Sequence, residues 1–529
     1  MEPSNIIRPV GSTAQFYTSR HSLGLCRSVI NTCRYTASRS SLRHHIPVPL
    51  ECAMEHALAS VVMRHGILRV GIAGEDTNAA AFVHVKTIDL RRMIEWKDLA
   101  APGVVDVDNT AAAGPSNSWD ERLLRSLEEC HEPLWEALAQ KPGWKVVVHY
   151  DPRQIAAITT GGGGGGDDES AEAPITLDIS FIYHHAYADG KSAYIFHGDL
   201  LRALNNPTTT PELQHHILHL PHAPVLAPPL EHLIPFSLSW IYLLRTILHE
   251  LVAPALAPSW LRPATPSAIP WTGGVVDPAQ ARCHLRLVAV APRQLAAVLQ
   301  RCRDRGATLT GLLHALALAS LCARLDADAP AFRGTTPVSL RPYARPGFDA
   351  ENTIHCLATA HDCEYDAAVV ARFRASLSSS LPLVESLIWE QAARTTADLR
   401  AKRAELPRDD VMALMGYVSD WRGFHAGKFG KPRAHSWEVS NVGSARGALA
   451  AAAAEDGQWR VERSVFTQGA LPLSAAITLN VAGVEGGKGA LSIAVGWQEG
   501  IVPLDLAEGV VEDLRRWIGA VGEGRPLDV

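Results

Sequence analysis

The sequence predicts an α/β chain folded as two similar halves, and three observations carry that expectation. The length of 529 residues exceeds the roughly 250–300 residues at which a single hydrophobic core stops growing. Strand and helix signals alternate through the first third and start again in the second half. Between them lies a stretch rich in Pro, His and Leu with no strand alternation, from Asn205 to Trp271. The expected organisation is therefore an N-terminal half over 1–205, a crossover linker over 206–275 and a C-terminal half over 276–529.

In the first half, HALASVVMRHGILRVGI spaces Leu58, Val61, Val62 and Leu68 as a helix does, then runs into a strand at Val70 and Ile72. Residues 119–138 (WDERLLRSLEECHEPLWEAL) repeat apolar residues at helical spacing. KVVVHY at 145–150 and ITLDISFIY at 175–183 are β-branched and aromatic, and are expected to pair. The connection at 159–174, TTGGGGGGDDESAEAP, is too polar and Gly-rich to pack and is expected as a surface loop. It is no phosphate cradle, since Asp167, Asp168 and Glu169 follow the glycines where a lysine would be needed. A helix follows at 191–204, with Ala193, Phe196, Leu200 and Leu201 on one face.

The second half restarts with a strand at 283–291, a helix at 292–303 and a longer helix at 308–324, for which Thr308 or Thr310 suits the N-cap. Four runs then read as strands: GTTPVSLRPY (334–343), AHSWEVSNVG (434–443), AAITLNVAGV (475–484) and ALSIAVGWQEG (490–500). LAEGVVEDLRRWIGAV, 506–521, closes the chain as a helix.

Composition narrows the function. The chain is 47% hydrophobic and 20% charged with net charge −6, as a folded globular protein is. Its Lys and Arg are scattered, so the footprint of a nucleic-acid binder is missing. Nine cysteines without a CxxC pair read as buried thiols in a reducing compartment. The N-terminal residues show no basic region followed by an apolar run, so no secretory signal is read and a cytoplasmic location is expected. Residues 233–256 are largely apolar, but Arg245, His249 and Glu250 interrupt them and Pro235 and Pro254 bracket them. A helix packed between or across domains is expected there rather than a membrane span, with a peripheral membrane or lipid-droplet contact as the alternative. His215, His216, His219 and His222 crowd the linker without Cys or carboxylate partners at ligand spacing, so no metal is expected.

The segment His184-His185-Ala186-Tyr187-Ala188-Asp189-Gly190 carries the chemistry. Side chains alternate along a strand, so two adjacent histidines at its end point to opposite sides and must do different work. A neutral imidazole titrates near pH 6.5 and suits the deprotonation of a hydroxyl. Asp189 follows across a turn in which Gly190 is expected to supply torsions closed to other residues. That turn could bring Asp189 beside His185 or direct it elsewhere.

The segment matches His-His-x-x-x-Asp-Gly, and the chain resembles the fungal alcohol acetyltransferase group within the superfamily of condensation domains, BAHD acyltransferases and chloramphenicol acetyltransferase. Arg8-Pro9-Val10-Gly11 with Arg20-His21-Ser22-Leu23-Gly24 looks like the family's opening, Val338-Ser339-Leu340-Arg341-Pro342 like its Arg-Pro strand, and Ser440-Asn441-Val442-Gly443 like its Ser-Asn-x-Gly turn. Two features depart from it: Ala14-Gln15 stands where an acidic residue is expected, and the six-glycine loop is foreign to the family. The resemblance implies two pseudo-symmetric chloramphenicol acetyltransferase-like α/β domains with a tunnel between them. It implies acetyl-CoA or another acyl-CoA as co-substrate and a small-molecule alcohol as acceptor; beside it, a monomer without a metal is expected. His185 becomes the general base and Asp189 a partner of Arg341. His184 and Gly190 shape the motif, and Ser440 and Asn441 become candidate donors to the transition-state oxyanion. Rival readings are an N-acyltransferase acting on an amine and a non-catalytic binding protein that keeps the tunnel fold. A serine hydrolase is disfavoured because no Gly-x-Ser-x-Gly elbow occurs.

Overall fold

Two main β-sheets, with helices packed against them, organise the described residues. The computed structural model describes residues 5–38, 49–100, 118–159, 174–207, 211–251, 268–280, 282–377, 381–446, 449, 458–487 and 491–527. The first half contributes β1 (Ile6–Pro9), β2 (Val29–Ala37), β3 (Val70–Ala73), β4 (Ala81–His84), β5 (Thr87–Asp89), β6 (Ile94–Asp98), β7 (Trp144–Tyr150) and β8 (Ile175–Tyr183). Its principal helices are α1 (Ser12–Ser22), α2 (Leu50–Arg64), α3 (Trp119–His131) and α4 (Gly190–Asn205). The linker region holds β9 (Ile217–His219) and α5 (Trp240–Leu251). The second half adds β10 (Cys283–Val290), β11 (Phe332–Ser339), β12 (Ala358–Tyr365), β13 (His435–Ala445), β14 (Arg460–Gln468), β15 (Ala475–Val484) and β16 (Leu491–Gln498). With these strands run α6 (Pro292–Asp304), α7 (Leu309–Arg324), α8 (Leu381–Glu405) and α9 (Leu504–Glu523).

The larger sheet has the order β10-β16-β15-β13-β11-β12 and the smaller main sheet the order β14-β2-β8-β7-β6. The second order carries the main departure from two separate halves. β14 belongs to the C-terminal half by sequence, yet it pairs antiparallel with β2 from Arg460↔Thr36 to Gln468↔Val29. The β7–β8 pair is antiparallel, with Trp144 opposite Tyr183.

There are two large cores, and the first is completed by second-half residues such as Val442, Trp459 and Phe466. In the first, Phe181 and Phe196 stack with centroids 3.9 Å apart, joining β8 to α4. In the second, α7 is apolar nearly all round and buried on all sides, the pattern of a central helix. Thr308 caps it, accepting from the Gly311 amide. His314 lies inside this core as a neutral ring: its Nδ1 accepts from Trp437 Nε1 at 2.9 Å, and its Nε2 is 2.6 Å from Thr336 Oγ1. Burial drives its pKa down to about 3.

Local differences from the sequence reading have simple causes. The helix expected over 119–138 ends at His131; Glu132 keeps helical torsions, but Pro133 has no backbone donor with which to carry the helix on. Of the apolar stretch 233–256, residues 240–251 form α5, on which Trp240, Ile241 and Leu244 are exposed rather than packed. Among the described residues no single helix is long and apolar enough to cross a membrane. In the linker, His216 is not simply solvated, since its Nδ1 lies 2.6 Å from Glu55 Oε2. The six-glycine run lies outside the described residues.

Candidate active site

β8 is buried almost throughout, and the chain leaves its sheet at His184, whose amide donates to the Gly143 carbonyl at 2.9 Å. A tight turn follows: the Tyr187 amide donates to the His184 carbonyl at 3.0 Å, and the Ala186 amide donates to His184 Nδ1 at 3.0 Å. Tyr183 reaches over this loop and donates its hydroxyl to the Asp189 carbonyl at 3.0 Å. The two histidines diverge, although both lie in the turn beyond the end of β8 and not in the strand itself. His184 is only 1% exposed and faces Glu75, whose Oε1 lies 3.2 Å from its Nε2. His185 is half-buried and stacks face to face on Tyr17, centroids 4.0 Å apart and planes 13° from parallel.

Asp189 is turned away from His185. It is the N-cap of α4, where Oδ1 accepts from the Ser192 amide at 2.7 Å and the Ser192 hydroxyl at 2.8 Å. The same oxygen accepts from Arg341 Nη2 at 2.9 Å, while Oδ2 accepts from the Leu357 amide at 3.0 Å. Arg341 is itself buried, and it also donates to the carbonyls of Thr353 (3.0 Å), His355 (3.1 Å) and Ala350. With its oxygens committed in this way, Asp189 is a cap and an ion-pair partner, and of the two orientations open from sequence it adopts this one. Burial alone would raise its pKa, but Arg341 and the amide and hydroxyl donors outweigh that and hold the carboxyl below its ordinary range.

The need for Gly190 differs from the one expected. Its φ lies outside the left-handed region, and it is the first residue of α4. A Cβ there would meet Val442 Cγ1 at 2.3 Å, so close approach of the two halves, not turn torsion, requires glycine. Val442 sits in the Ser440–Gly443 segment, which is a continuation of β13 rather than a turn, with a bulge between Asn441 and Gly443. Tyr194 on α4 ties that bulge to the motif helix by donating to the Gly443 carbonyl at 3.0 Å. Asn441 is engaged locally, donating to Thr310 Oγ1 at 3.1 Å and accepting from the Gly443 amide at 2.9 Å. Ser440, buried on the same strand, has no hydroxyl partner among the described residues.

Burial pulls the His185 pKa below its ordinary 6.5, with backbone carbonyls of His185 and Ala188 and the charge of Asp189 opposing. Its Nδ1 lies 3.8 Å from Cys356 Sγ. The Cys356 thiol is pushed well above its usual range by burial and then by Asp189, so it stays protonated. For Glu75, burial works upward, but hydrogen bonds from His184 and His21 prevail and bring the carboxyl to about 2. His21, Glu75 and His184 are also the cluster with metal-ligand spacing among the described residues. A cavity of about 420 Å³, bordered by Arg8, Arg64, His65 and Asn352, ends at His355. A smaller one shares Arg8 and His355 with it and reaches Ala186, Tyr187 and Cys356, the back of the motif loop.

The sequence reading missed Tyr17, Glu75 and Cys356. Tyr17 and His21 stand one helical turn apart on α1, a spacing that places them on one face. Glu75 and Cys356 leave no such local signal.

Two outcomes follow from this geometry. Asp189→Asn leaves the Arg341 charge buried without its counter-ion and should cost about 3–5 kcal/mol in urea unfolding. The sign is that of a depressed carboxyl: the stabilisation is present above the unfolded value of about 3.9 and fades as pH falls through the lower folded one. Gly190→Ala should cost about 1–3 kcal/mol by overpacking, and adding Val442→Ala should restore part of it, which a second unfolding curve measures.

Comparisons with known proteins agree with this architecture. The sequence model of the family described as Alcohol acetyltransferase matches residues 167–331. A probable alcohol acetyltransferase, FCK4, of Fusarium pseudograminearum is 30% identical over 99% of this chain and 97% of its own length. Another, crmB, of Aspergillus fumigatus is 26% identical over 93% of this chain and 95% of its own. Among solved structures, the TRI3 trichothecene 15-O-acetyltransferase from Fusarium sporotrichioides superposes with a TM-score of 0.61 at 14% identity, over 97% of this chain and 94% of that one. The condensation domain of the monacolin K polyketide synthase MokA gives 0.53 at 12% identity, over 98% of each chain. These likenesses establish the two-domain chloramphenicol acetyltransferase-like fold. With a 30% identical relative matched along nearly the whole chain, and a motif loop braced from both halves, this protein belongs to the alcohol acetyltransferase family and is an acyltransferase.

Proposed function

We propose that the chain is an acetyl-CoA:alcohol O-acetyltransferase in which His185 is the general base for direct attack of the acceptor hydroxyl on the thioester. The observation that carries this reading is the neutral, half-buried His185 ring on Tyr17, beside an Asp189 whose carboxylate is spent on Arg341 and Ser192. Among the described residues no side chain hydrogen-bonds His185 Nε2, which leaves that nitrogen for a substrate. The family's name supports an alcohol as acceptor and acetyl as the transferred group.

In the proposed reaction, Nε2 takes the hydroxyl proton as the oxygen bonds to the thioester carbonyl carbon. Negative charge collects on the carbonyl oxygen. With the Asn441 amide held by Thr310 and the Gly443 backbone, Ser440 is the better placed of the two candidates to donate to that oxyanion. Collapse breaks the carbon–sulfur bond, and the imidazolium returns its proton to the departing thiolate. Two substrates meet at one base, and no acyl-enzyme is needed. Cys356 is the thiol nearest the base, and its burial keeps it from acting as a nucleophile.

His185→Ala should lower turnover by roughly 10²- to 10⁴-fold while calorimetry still detects CoA binding; retained turnover would remove the assignment. In the wild type, the depressed pKa makes log kcat/KM rise with pH and level off below 6.5, and a break at or above that value would contradict the burial argument. Cys356→Ala should keep kcat within about threefold, whereas loss of a thiol-dependent burst would point to a covalent route instead.

A further inference from the structure

The cluster behind the motif has an arrangement that the general-base reading does not use. Glu75 lies in the tight turn after β3, closed by the Thr77 amide donating to the Gly74 carbonyl at 3.0 Å. Its Oε1 meets two buried imidazoles, His21 through Nδ1 and His184 through Nε2 at 3.2 Å. The ligand atoms of the three side chains lie within 4.8 Å of one another, the spacing of a metal site. Hydrogen bonding on the far side of each ring argues otherwise. His184 Nδ1 accepts from the Ala186 amide at 3.0 Å, and His21 Nε2 accepts from the Trp135 amide at 2.9 Å. A nitrogen that accepts from an N–H carries no proton, so in each neutral ring the proton sits on the nitrogen facing Glu75. Both inward nitrogens are donors, and no lone pair is left for a metal.

We propose that Glu75 is a positioning residue for His185, acting through His184 and His21. The route has two arms. Holding His184 Nε2 fixes the ring whose Nδ1 anchors the Ala186 amide, and so fixes the 184–187 turn from which His185 projects. Holding His21 fixes the end of α1, one turn beyond Tyr17, the ring against which His185 stacks. The His21 and His184 rings also touch each other edge to face at 4.6 Å. One carboxylate thus sets both the mounting and the backstop of the base, and a base displaced by about 1 Å can lose on the order of 10²-fold in rate.

The inference rests on His185 being the base, and the experiment separates the two. Glu75→Leu removes the acceptor and should lower kcat by roughly 10- to 100-fold, with KM for both substrates unchanged within about twofold. Glu75→Gln keeps an oxygen able to accept both hydrogen bonds and should retain kcat within about threefold. Unchanged kcat in Glu75→Leu, or a rise in KM equal to the fall in kcat, overturns the proposal. Should the leucine variant not fold, ¹⁵N imidazole spectra of the wild-type protein decide it. Protonated His184 Nε2 and His21 Nδ1 are expected, and the opposite tautomers, or a gain in melting temperature on adding Zn²⁺, would overturn it. If His185→Ala keeps its turnover, the general-base reading fails. If His185→Ala is inactive and Glu75→Leu is not impaired, only the role of Glu75 fails.

Discussion

The Arg341 guanidinium, buried near the start of the second half, reaches across to the Asp189 carboxylate that caps the first helix after the motif. Much of the surrounding arrangement depends on this contact. Removing two such charges from water costs several kcal/mol for each ion, and the deficit is met by hydrogen bonds to both carboxylate oxygens and to both terminal guanidinium nitrogens, with only Arg341 Nε left without a partner among the described residues. The carboxylate takes two groups of Ser192 and the Leu357 amide, and the guanidinium takes three carbonyls between Ala350 and His355. The segment 350–357 is thereby wrapped around the pair. Cys356, which faces His185, is carried on that same segment, so the ion pair also shapes one side of the His185 ring.

Division of labour within the motif follows from where the turn after β8 leaves each ring. His184 is committed to the interior beside Glu75, and His185 is half-buried against Tyr17. The interior ring is braced by Glu75 and a backbone amide. The His185 ring is held by stacking on Tyr17 and by backbone groups of its own loop.

The sequence carried the second half well. Strands 475–484 and 491–498 and the helices at 292–304 and 309–324 fall within one or two residues of their apolar patterns, because strand alternation, Pro292 and the Thr308 cap are local signals. Other parts were hidden for identifiable reasons. Helix 12–22 buries Thr13, Thr18, Ser19 and His21, so its inward face looks polar and no amphipathic stripe betrays it. Glu75 stands in Gly74-Glu75-Asp76-Thr77, which reads as an ordinary surface turn until His21 and His184 are brought to it. The Ser440–Gly443 run has turn-like composition, yet pairing with β15 on its flank keeps it extended. Strand 460–468 mixes Arg460, Glu462 and Arg463 with apolar residues, and its partner β2 lies more than 400 residues away in sequence.

That exchanged strand bears on how such proteins can be recombined. Cutting the chain in its linker would yield a first half whose sheet ends at β2, a nine-residue strand buried on nearly every position and stripped of its neighbour. A long unpaired edge of that kind is a template for aggregation. The second half, freed in turn, would trail a strand with nothing to pair against. The two lobes resemble modules, but neither is portable: a chimera built by swapping one lobe inherits a seam running through the other lobe's sheet. Re-engineering of this scaffold therefore calls for changes made within an intact chain.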